Sequence, residues 1–315
     1  MKKNSKSNKR KSNKDFDVVR DIVVKRILET MEEGQIPWNK PWFGTGKCYA
    51  YVSKRPYNAL NEMMLDEEGG YVTSKQLHEL GGKMKDGIAW KDRCKAVVGC
   101  FRKTYEVKDV NGDPIMNDNG EPLTKTYSHL KYWYVVNVKY TTLPEKNIKG
   151  FALGENTSAE QVIKDYLNES GVKLHRQRGD RAFYRPATDS VTVPLISQFK
   201  DRAEYYSTVF HELGHSTGHM SRENRFTPDS YFGNEPYARE ELVAEFTAAI
   251  MNNMLAINSV RSDRNSAAYI QSWAKAIKDD PNMFTYACFK ADKAVLRILC
   301  GKKTIAVEVS DETAA

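Results

Sequence analysis

The five residues His211-Glu-Leu-Gly-His215 restrict the fold of this chain more than any other feature of its sequence. Two histidines four positions apart lie one turn from each other on one face of a helix, so both imidazoles can bind one metal ion. Glu212 flanks that face, where its carboxylate can hold a water and take its proton as the water attacks a carbonyl. The motif therefore predicts a helix with a zinc site of the metallopeptidase type, in which His211 and His215 are ligands and Glu212 is the catalytic base.

A third metal ligand is expected from the next helix, which is predicted over 236–256. A catalytic zinc site has three protein ligands and a water, and this helix presents Glu241 and Glu245 on one face. Their spacing resembles the gluzincin pattern, which implies that Glu241 binds the metal and that Glu245 hydrogen-bonds a ligating histidine. The neighbouring Glu240 is expected to face solvent.

The residues around the motif bear on other interpretations of it. The metzincin pattern HExxHxxGxxH fails because the position of its third histidine is occupied by Ser221. His219 and Tyr237 are candidates for contact with the transition state, and plain hydrogen bonding is the alternative for His219. Zinc is the expected ion, and another divalent transition metal suits the same ligands. The alternative for the two histidines is ordinary hydrogen bonding on a helix.

The excess positive charge of the chain lies in its first residues. The chain has 48 Lys and Arg against 41 Asp and Glu, a net charge of +7. Residues 1–14 hold seven of the basic residues and no acidic one, diluted with Ser and Asn. Such a segment is predicted to be disordered. It serves either as a solubilising tail or as an arm that attracts a polyanion such as nucleic acid.

Cysteine usage and hydropathy indicate the compartment. The five cysteines form no CxxC pair, which is typical of free thiols in a reducing environment. No apolar run reaches the roughly 18 residues that a membrane span requires, and no apolar segment follows the basic N-terminus. A cytoplasmic protein without a membrane partner is expected.

Hydrophobic spacing predicts an α+β fold in two parts. The first part has a helix over 16–33 and strands over 95–105 and 128–140, and the second has short strands and helices over 197–217, 236–256, 266–278 and 281–300. No internal repeat is predicted. The predicted divisions are a tail (1–14), an N-terminal domain (15–145), a linker (146–158), a mostly helical domain with a small sheet (159–304) and a second tail (305–315).

The surroundings of the motif resemble the antirestriction proteins of the ArdC type. The resemblance rests on several stretches of both parts, namely 183–189, 211–219, 221–225, 237–245 and 268–273, together with Glu33-Gly34, Ile36–Trp38, Pro41-Trp42 and Gly81-Gly82. It implies an N-terminal domain that binds single-stranded DNA and a C-terminal zincin-like metallopeptidase domain. It also implies a protein of plasmids or conjugative elements that protects incoming DNA from host restriction.

The N-terminal part contains four of the five tryptophans. Proteins that bind single strands combine aromatic platforms for the bases with cations along the backbone path. Two short non-helical segments supply both kinds of residue, and the predicted DNA contacts are Trp38, Lys40, Trp42, Arg55 and Tyr57. The alternative for such aromatic residues is a place in the core.

Three functions are compatible with these features. The first is an antirestriction protein that binds single-stranded DNA and carries the metal site. The second is a cytosolic zinc peptidase whose N-terminal domain selects a protein substrate, such as a host restriction enzyme. The third is a binding protein with a structural zinc, which three ligands and an intact Glu212 argue against. The sequence leaves open whether peptides are cleaved.

Overall fold

The computed structural model describes residues 5–40, 43–109, 111–117, 119–146, 158–226, 235–257 and 267–300. The helices are α1 (Ser5–Glu32), α2 (Ala59–Met64), α3 (Ser74–Glu79), α4 (Trp90–Arg93), α5 (Ala159–Ser170), α6 (Arg202–Ser216), α7 (Glu235–Met254), α8 (Ala267–Asp279) and α9 (Pro281–Ile298). The strands are β1 (Cys48–Ala50), β2 (Gly69–Val72), β3 (Lys95–Glu106), β4 (Thr124–Asn137), β5 (Lys173–Gln177), β6 (Phe183–Arg185) and β7 (Ser190–Pro194). The predicted α+β class is confirmed. In the described ranges, no helix has the length and apolar character needed to cross a membrane.

The N-terminal sheet has four strands in the order β1-β2-β4-β3. β1 and β2 are parallel, and the other neighbours are antiparallel. β3 and β4 form a long hairpin that is paired without interruption from Lys95 opposite Val135 to Glu106 opposite Thr124. Asn61 of α2 covers part of the outer edge of β3, since its side-chain amide exchanges hydrogen bonds with the backbone of Val98. Farther along the hairpin, the described side chains of 104–106 and 121–125 are exposed.

An eight-residue repeat forms the tip of this hairpin, contrary to the prediction that the chain has none. Its two units begin at Asp109 and Asn117, and each reads Asp/Asn-x-Asn-Gly-Asp/Glu-Pro followed by Ile or Leu. In both units the first side chain accepts the backbone N–H groups of the residues two and four positions later. The N–H of Ile115 donates to Val107, and that of Leu123 donates to Ile115. The units are therefore stacked turns, and each first residue satisfies the amides of its own turn.

The C-terminal part places a three-stranded sheet, in the order β5-β7-β6, beside a group of helices. β6 is an edge strand that runs antiparallel to β7. The next helix, α6, packs against β6 and β7 on one side and against α7 and α9 on the others. The helices predicted over 197–217, 236–256, 266–278 and 281–300 correspond to α6, α7, α8 and α9, with ends that differ by a few residues.

One hydrophobic core extends through both parts of the chain. Buried residues of α1, among them Val23 and Ile27, belong to the same cluster as Phe246 of α7 and Phe284 of α9. The ring of Trp38 lies in this cluster, with its centroid 4.9 Å from that of Phe246 and 5.6 Å from that of Phe284. The core therefore does not divide at the predicted linker, of which residues 147–157 lie outside the described ranges.

Of the two predicted tails, the structure describes most of the first and none of the second. α1 begins at Ser5, so most of the segment 1–14 that was predicted to be disordered is helical. Lys and Arg favour helices, and a helix already nucleated by its packed portion gains one hydrogen bond for each residue added. Residues 305–315 lie outside the described ranges.

Candidate metal centre

Helix α6 is fixed at its start by a cap and along its length by burial. The Asp201 carboxylate accepts the N–H of Glu204 at 2.7 Å, which satisfies one free donor of the first turn. Val209, Phe210 and Leu213 on its inner face are fully buried. Gly214 allows α7 to approach closely, because a Cβ at this position would lie 3.2 Å from the Cα of Ala244. This approach brings the glutamates of α7 to the two histidines.

The three predicted ligands come together as a compact group. The Nε2 atoms of His211 and His215 lie 3.2 Å apart. The carboxylate of Glu241 lies between them, with one oxygen 3.5 Å from His211 Nε2 and the other 3.4 Å from His215 Nε2. Ligand atoms bound to one tetrahedral zinc ion at 2.0–2.2 Å lie about 3.3 Å from each other. With one ligand atom taken from each residue, all three atoms lie within 4.8 Å of one another. The three residues can therefore close on one ion, and their donor atoms fit a divalent ion.

The charges of this group are coupled. Burial alone would lower the pKa of His215, but the nearby carboxylates of Glu240 and Glu241 outweigh it and raise the pKa to about 10. Burial disfavours the charged form of Glu241, but its hydrogen bonds with the two histidines hold its pKa well below the ordinary value. Binding of a cation requires neutral imidazoles, so loading the site displaces a proton from His215.

Glu212 lies beside the ligand group without joining it. Its side chain is buried, and burial raises the pKa of its carboxyl above the ordinary value. The neighbouring histidines and a hydrogen bond from the backbone of Tyr184 oppose this increase. Tyr184 belongs to β6, so the edge strand of the small sheet holds the carboxylate in place. A carboxylate in such a position can accept a proton and return it.

Two carboxylates of α7 lie behind the histidines. Glu245 has an oxygen 3.7 Å from His211 Nδ1, which is the partner predicted for it, although this distance exceeds that of a direct hydrogen bond. Glu240 has an oxygen 3.6 Å from His215 Nδ1. The prediction that Glu240 faces solvent is wrong, because this residue is only 7% exposed. Each histidine therefore has its own carboxylate on the side away from the ligand group.

Glu240 is held by a buried arginine that was not predicted to act at the site. Arg225 forms two hydrogen bonds to the Glu240 carboxylate, at 2.9 and 2.7 Å. Its remaining donors bind Thr217 Oγ1 and the carbonyl of Gly214, both at 2.8 Å. The guanidinium thus ties the end of α6 to α7 directly behind His215. Burial would raise the pKa of Glu240, but the hydrogen bonds from Arg225 and His215 lower it instead.

Replacing Arg225 by Met should lower the free energy of unfolding by about 3–5 kcal/mol, because it leaves the Glu240 carboxylate buried without its strongest partner. The double variant Arg225→Met/Glu240→Met should recover much of this loss, since no buried charge remains unpaired. Urea unfolding of the metal-free proteins measures both values. A single variant as stable as the wild type would contradict the assigned role.

The same substitution should change the response to acid. A carboxyl with a lowered folded-state pKa stabilises the protein above its unfolded value of about 4.5 and loses that contribution as the pH falls through the folded value. The wild type should therefore lose stability below about pH 4.5 through Glu240. Arg225→Met should lose less over the same range.

Of the two residues predicted to contact the transition state, the structure describes the side chain of His219. His219 lies after the end of α6, where its Nδ1 is 2.8 Å from Ser221 Oγ and 3.2 Å from the backbone nitrogen of Ser221. This is the hydrogen-bonding role that was its alternative. Tyr237 lies in α7, one turn before Glu241, and its side chain is outside the described part of the structure.

The structure contradicts two of the predicted DNA contacts. Trp38 is 0% exposed, so its ring has no face available to a base. The Nζ of Lys40 donates to the carbonyls of Met63 and Leu65, at 3.0 and 2.7 Å, and thereby binds the end of α2. Burial lowers the pKa of Lys40 to about 8. Trp38 therefore belongs to the core, and Lys40 joins this segment to α2.

The other three predicted DNA contacts remain predictions. Arg55 is exposed on the turn after β1. Tyr57 is half-buried, with its ring in a T-shaped contact with Tyr71 at 6.3 Å between centroids. Trp42 lies outside the described ranges.

Comparison with known proteins relates both parts of the chain to one family. Residues 17–135 match a family model described as the N-terminal domain of anti-restriction factor ArdC. Residues 160–290 match a model described as a zincin-like metallopeptidase. The uncharacterized protein y4eC of Sinorhizobium fredii (strain NBRC 101917 / NGR234) is 27% identical over 86% of this chain and 88% of its own length.

Two Escherichia coli proteins, both named DNA primase TraC, are also similar to the chain. One is 32% identical over 293 residues and the other is 30% identical over 287 residues, which cover 87% and 86% of this chain. The chain spans only 19% and 26% of the length of these relatives.

Two crystal structures of the antirestriction ArdC protein from the R388 plasmid, one bound to Mn(II) and one metal-free, resemble this fold. Their TM-scores are 0.60 and 0.61, at 27% identity over 89% of this chain and 96% of theirs. The two family models together with this structural match show that the chain belongs to the ArdC-type antirestriction family, with an ArdC N-terminal domain followed by a zincin-like metallopeptidase domain.

Proposed function

We propose that this protein binds single-stranded DNA, holds a zinc ion at His211, His215 and Glu241, and protects incoming DNA from restriction in the cytoplasm of the recipient cell. The observation that carries the proposal is the grouping of one ligand atom from each of these three residues within 4.8 Å, with Glu212 beside them. The site supports hydrolysis of a peptide bond, and the family supports the antirestriction role. A host restriction enzyme or another protein is the substrate class that would connect peptide hydrolysis with the antirestriction role.

The donor set favours zinc. Two imidazoles and one carboxylate form a known catalytic zinc set, whereas Mn(II) prefers oxygen ligands and binds more weakly to a given site. The Mn(II)-bound structure of the related ArdC protein supports the binding of a divalent ion. When bound, the ion would polarise the scissile carbonyl and acidify a water molecule.

The residues of the chain would perform the remaining steps. Glu212 would take a proton from the attacking water and deliver it to the leaving amine, and its raised pKa suits both transfers. The backbone of β6 would keep the carboxylate oriented through Tyr184. Glu240 and Glu245 would fix the orientation of the two imidazoles from behind.

Wild-type protein should bind a fluorescein-labelled 20-nucleotide thymidine oligonucleotide more tightly than a duplex of the same length. Its affinity should fall as salt rises, because contacts with phosphates release counterions. Fluorescence anisotropy at several salt concentrations measures both effects. A protein that binds no single strand at low salt, but cleaves proteins, would favour the alternative of a zinc peptidase whose N-terminal domain selects a protein substrate.

The named relatives support a nucleic-acid partner in a limited way. Both E. coli relatives are named as DNA primases, but this chain corresponds to a minor part of each. Their name therefore supports a setting in DNA transfer or replication. Primase activity is not proposed for this chain.

A further inference from the structure

We propose that one face of the β3–β4 hairpin is the stacking platform for single-stranded DNA. This platform face carries Trp133, Phe101 and Tyr105 together with Lys131 and Lys125. The inference rests on the proposed DNA binding, and it places that binding on a surface different from most of the contacts predicted from the sequence.

The strand register places these side chains on one face. In an antiparallel pair, residues directly opposite each other lie on the same face, and every second residue of a strand returns to it. Val97 is opposite Trp133, Gly99 is opposite Lys131, and Tyr105 is opposite Lys125. Phe101 follows Gly99 on the same face, so the aromatic residues form a line along the hairpin.

The aromatic rings of the platform face are accessible. Phe101 is 48% exposed and Tyr105 is 47% exposed, values far above those of aromatic residues in the core. The rings of Phe101 and Trp133 lie with centroids 6.2 Å apart at an angle of 57°. Exposed aromatic surface in an extended row is costly in water unless a ligand covers it.

Gly99 allows the ring of Trp133 to lie directly on the sheet. A Cβ at this position would lie 2.5 Å from the ring of Trp133, so only glycine permits the ring to cover the backbone there. Trp133 also packs at the rim of a small buried cluster. The line of rings leads outward from Trp133 through Phe101 to Tyr105. Tyr57, one of the predicted DNA contacts, packs against the same buried cluster as Trp133.

The charges of the platform face select the ligand. The Nζ of Lys131 lies 5.7 Å from the centre of the Phe101 ring, and Lys125 is exposed farther along. None of the described side chains on this face is acidic. Rings alternating with cations suit a polyanion with unpaired bases, because bases stack on rings while lysines neutralise phosphates. In a duplex the base faces are stacked on each other, so a duplex would bind the lysines through its phosphates but would not stack on the rings.

The opposite face of the same hairpin provides a matched control. Tyr132 and Tyr134 are 39% and 49% exposed, similar to the platform residues, and their rings form a T-shaped contact with each other. Leu130 on the same face packs against the main core, whereas the two tyrosines are exposed. Loss of these two tyrosines removes a similar exposed aromatic area from the same element without touching the platform face.

The test compares two double variants by anisotropy with the labelled thymidine oligonucleotide. Phe101→Ala/Tyr105→Ala should weaken binding at least about 30-fold, since each stacked base contributes a factor of about 5–150. Tyr132→Ala/Tyr134→Ala should stay within about twofold of the wild type. Equal losses in the two variants, or no loss in the first, would overturn the platform. Thermal unfolding establishes that both variants are folded.

A second variant tests the charges and does not depend on removing rings. Lys125→Gln/Lys131→Gln should reduce the slope of log affinity against log salt by about 1.4, which corresponds to two phosphate contacts on a single strand. An unchanged slope would also contradict the platform. If the wild type binds single strands and all hairpin variants bind equally well, DNA binding stands and lies elsewhere. If the wild type binds none, the proposed function itself fails.

Discussion

Replacing Glu212 by Gln should reduce peptide hydrolysis by about three orders of magnitude and leave the metal in place. General acid–base groups contribute factors of about 10²–10⁴, and glutamine keeps the size of the side chain but accepts no proton. Because Glu212 lies outside the ligand group, zinc content should stay at the wild-type level. Digestion of fluorescein-labelled casein, with and without single-stranded DNA, measures the rate, and elemental analysis measures the metal.

Two further variants make this result specific. His211→Ala removes a ligand, so it should lose both metal and hydrolysis. Glu169→Gln changes an exposed glutamate of α5 and should alter neither. Wild-type rates in Glu212→Gln would rule out the assigned base. Undiminished zinc in His211→Ala would place the ion elsewhere.

Replacing Trp38 by Ala should lower the free energy of unfolding by about 3–5 kcal/mol, the cost of truncating a fully buried aromatic side chain. Its ring contacts Phe246, Phe284 and Trp273, all in the metallopeptidase part. Both parts of the chain should therefore unfold together and earlier. Urea unfolding followed by circular dichroism measures the loss.

The control for Trp38 is an exposed apolar residue. Val52→Ala should change stability by no more than about 0.5 kcal/mol, because the side chain is 51% exposed. A fragment that begins at residue 159 should not fold alone, since it lacks the ring that fills its core. A Trp38→Ala protein with normal stability and weakened DNA binding would restore the stacking role predicted from the sequence.

The pairs within each helix of the candidate metal centre were predictable because their relation is local. His211 and His215 are related by one helical turn, and Glu241 and Glu245 by another, so periodicity alone gives their relative positions. Glu240 follows no such rule. From the sequence, its position next to a predicted ligand suggests an exposed charge. In the structure, Arg225 from the loop after α6 binds its carboxylate. Contacts between separate segments are set by tertiary packing and leave no periodic pattern.

The N-terminal part shows why aromatic residues were harder to place. A tryptophan in a proline-containing segment can lie in a surface loop or have its side chain buried in the core. Trp38 is buried in the core. Phe101 and Tyr105 are exposed, although the alternation of apolar and polar residues in their strand is typical of a half-buried strand. Alternation predicts the strand but not which portion of it extends beyond the core. The turn repeat at the tip is not predicted from the sequence, because each of its two units is only eight residues long.

The shared core limits how this gene can change by recombination. An exchange within 147–157 that joined this N-terminal part to an unrelated metallopeptidase would separate Trp38 from Phe246 and Phe284. The new partner would have to offer a cavity of the same shape, or both products would unfold. The two parts are therefore expected to be inherited together. In longer proteins of this kind, insertions should accumulate before or after the pair and not between its halves.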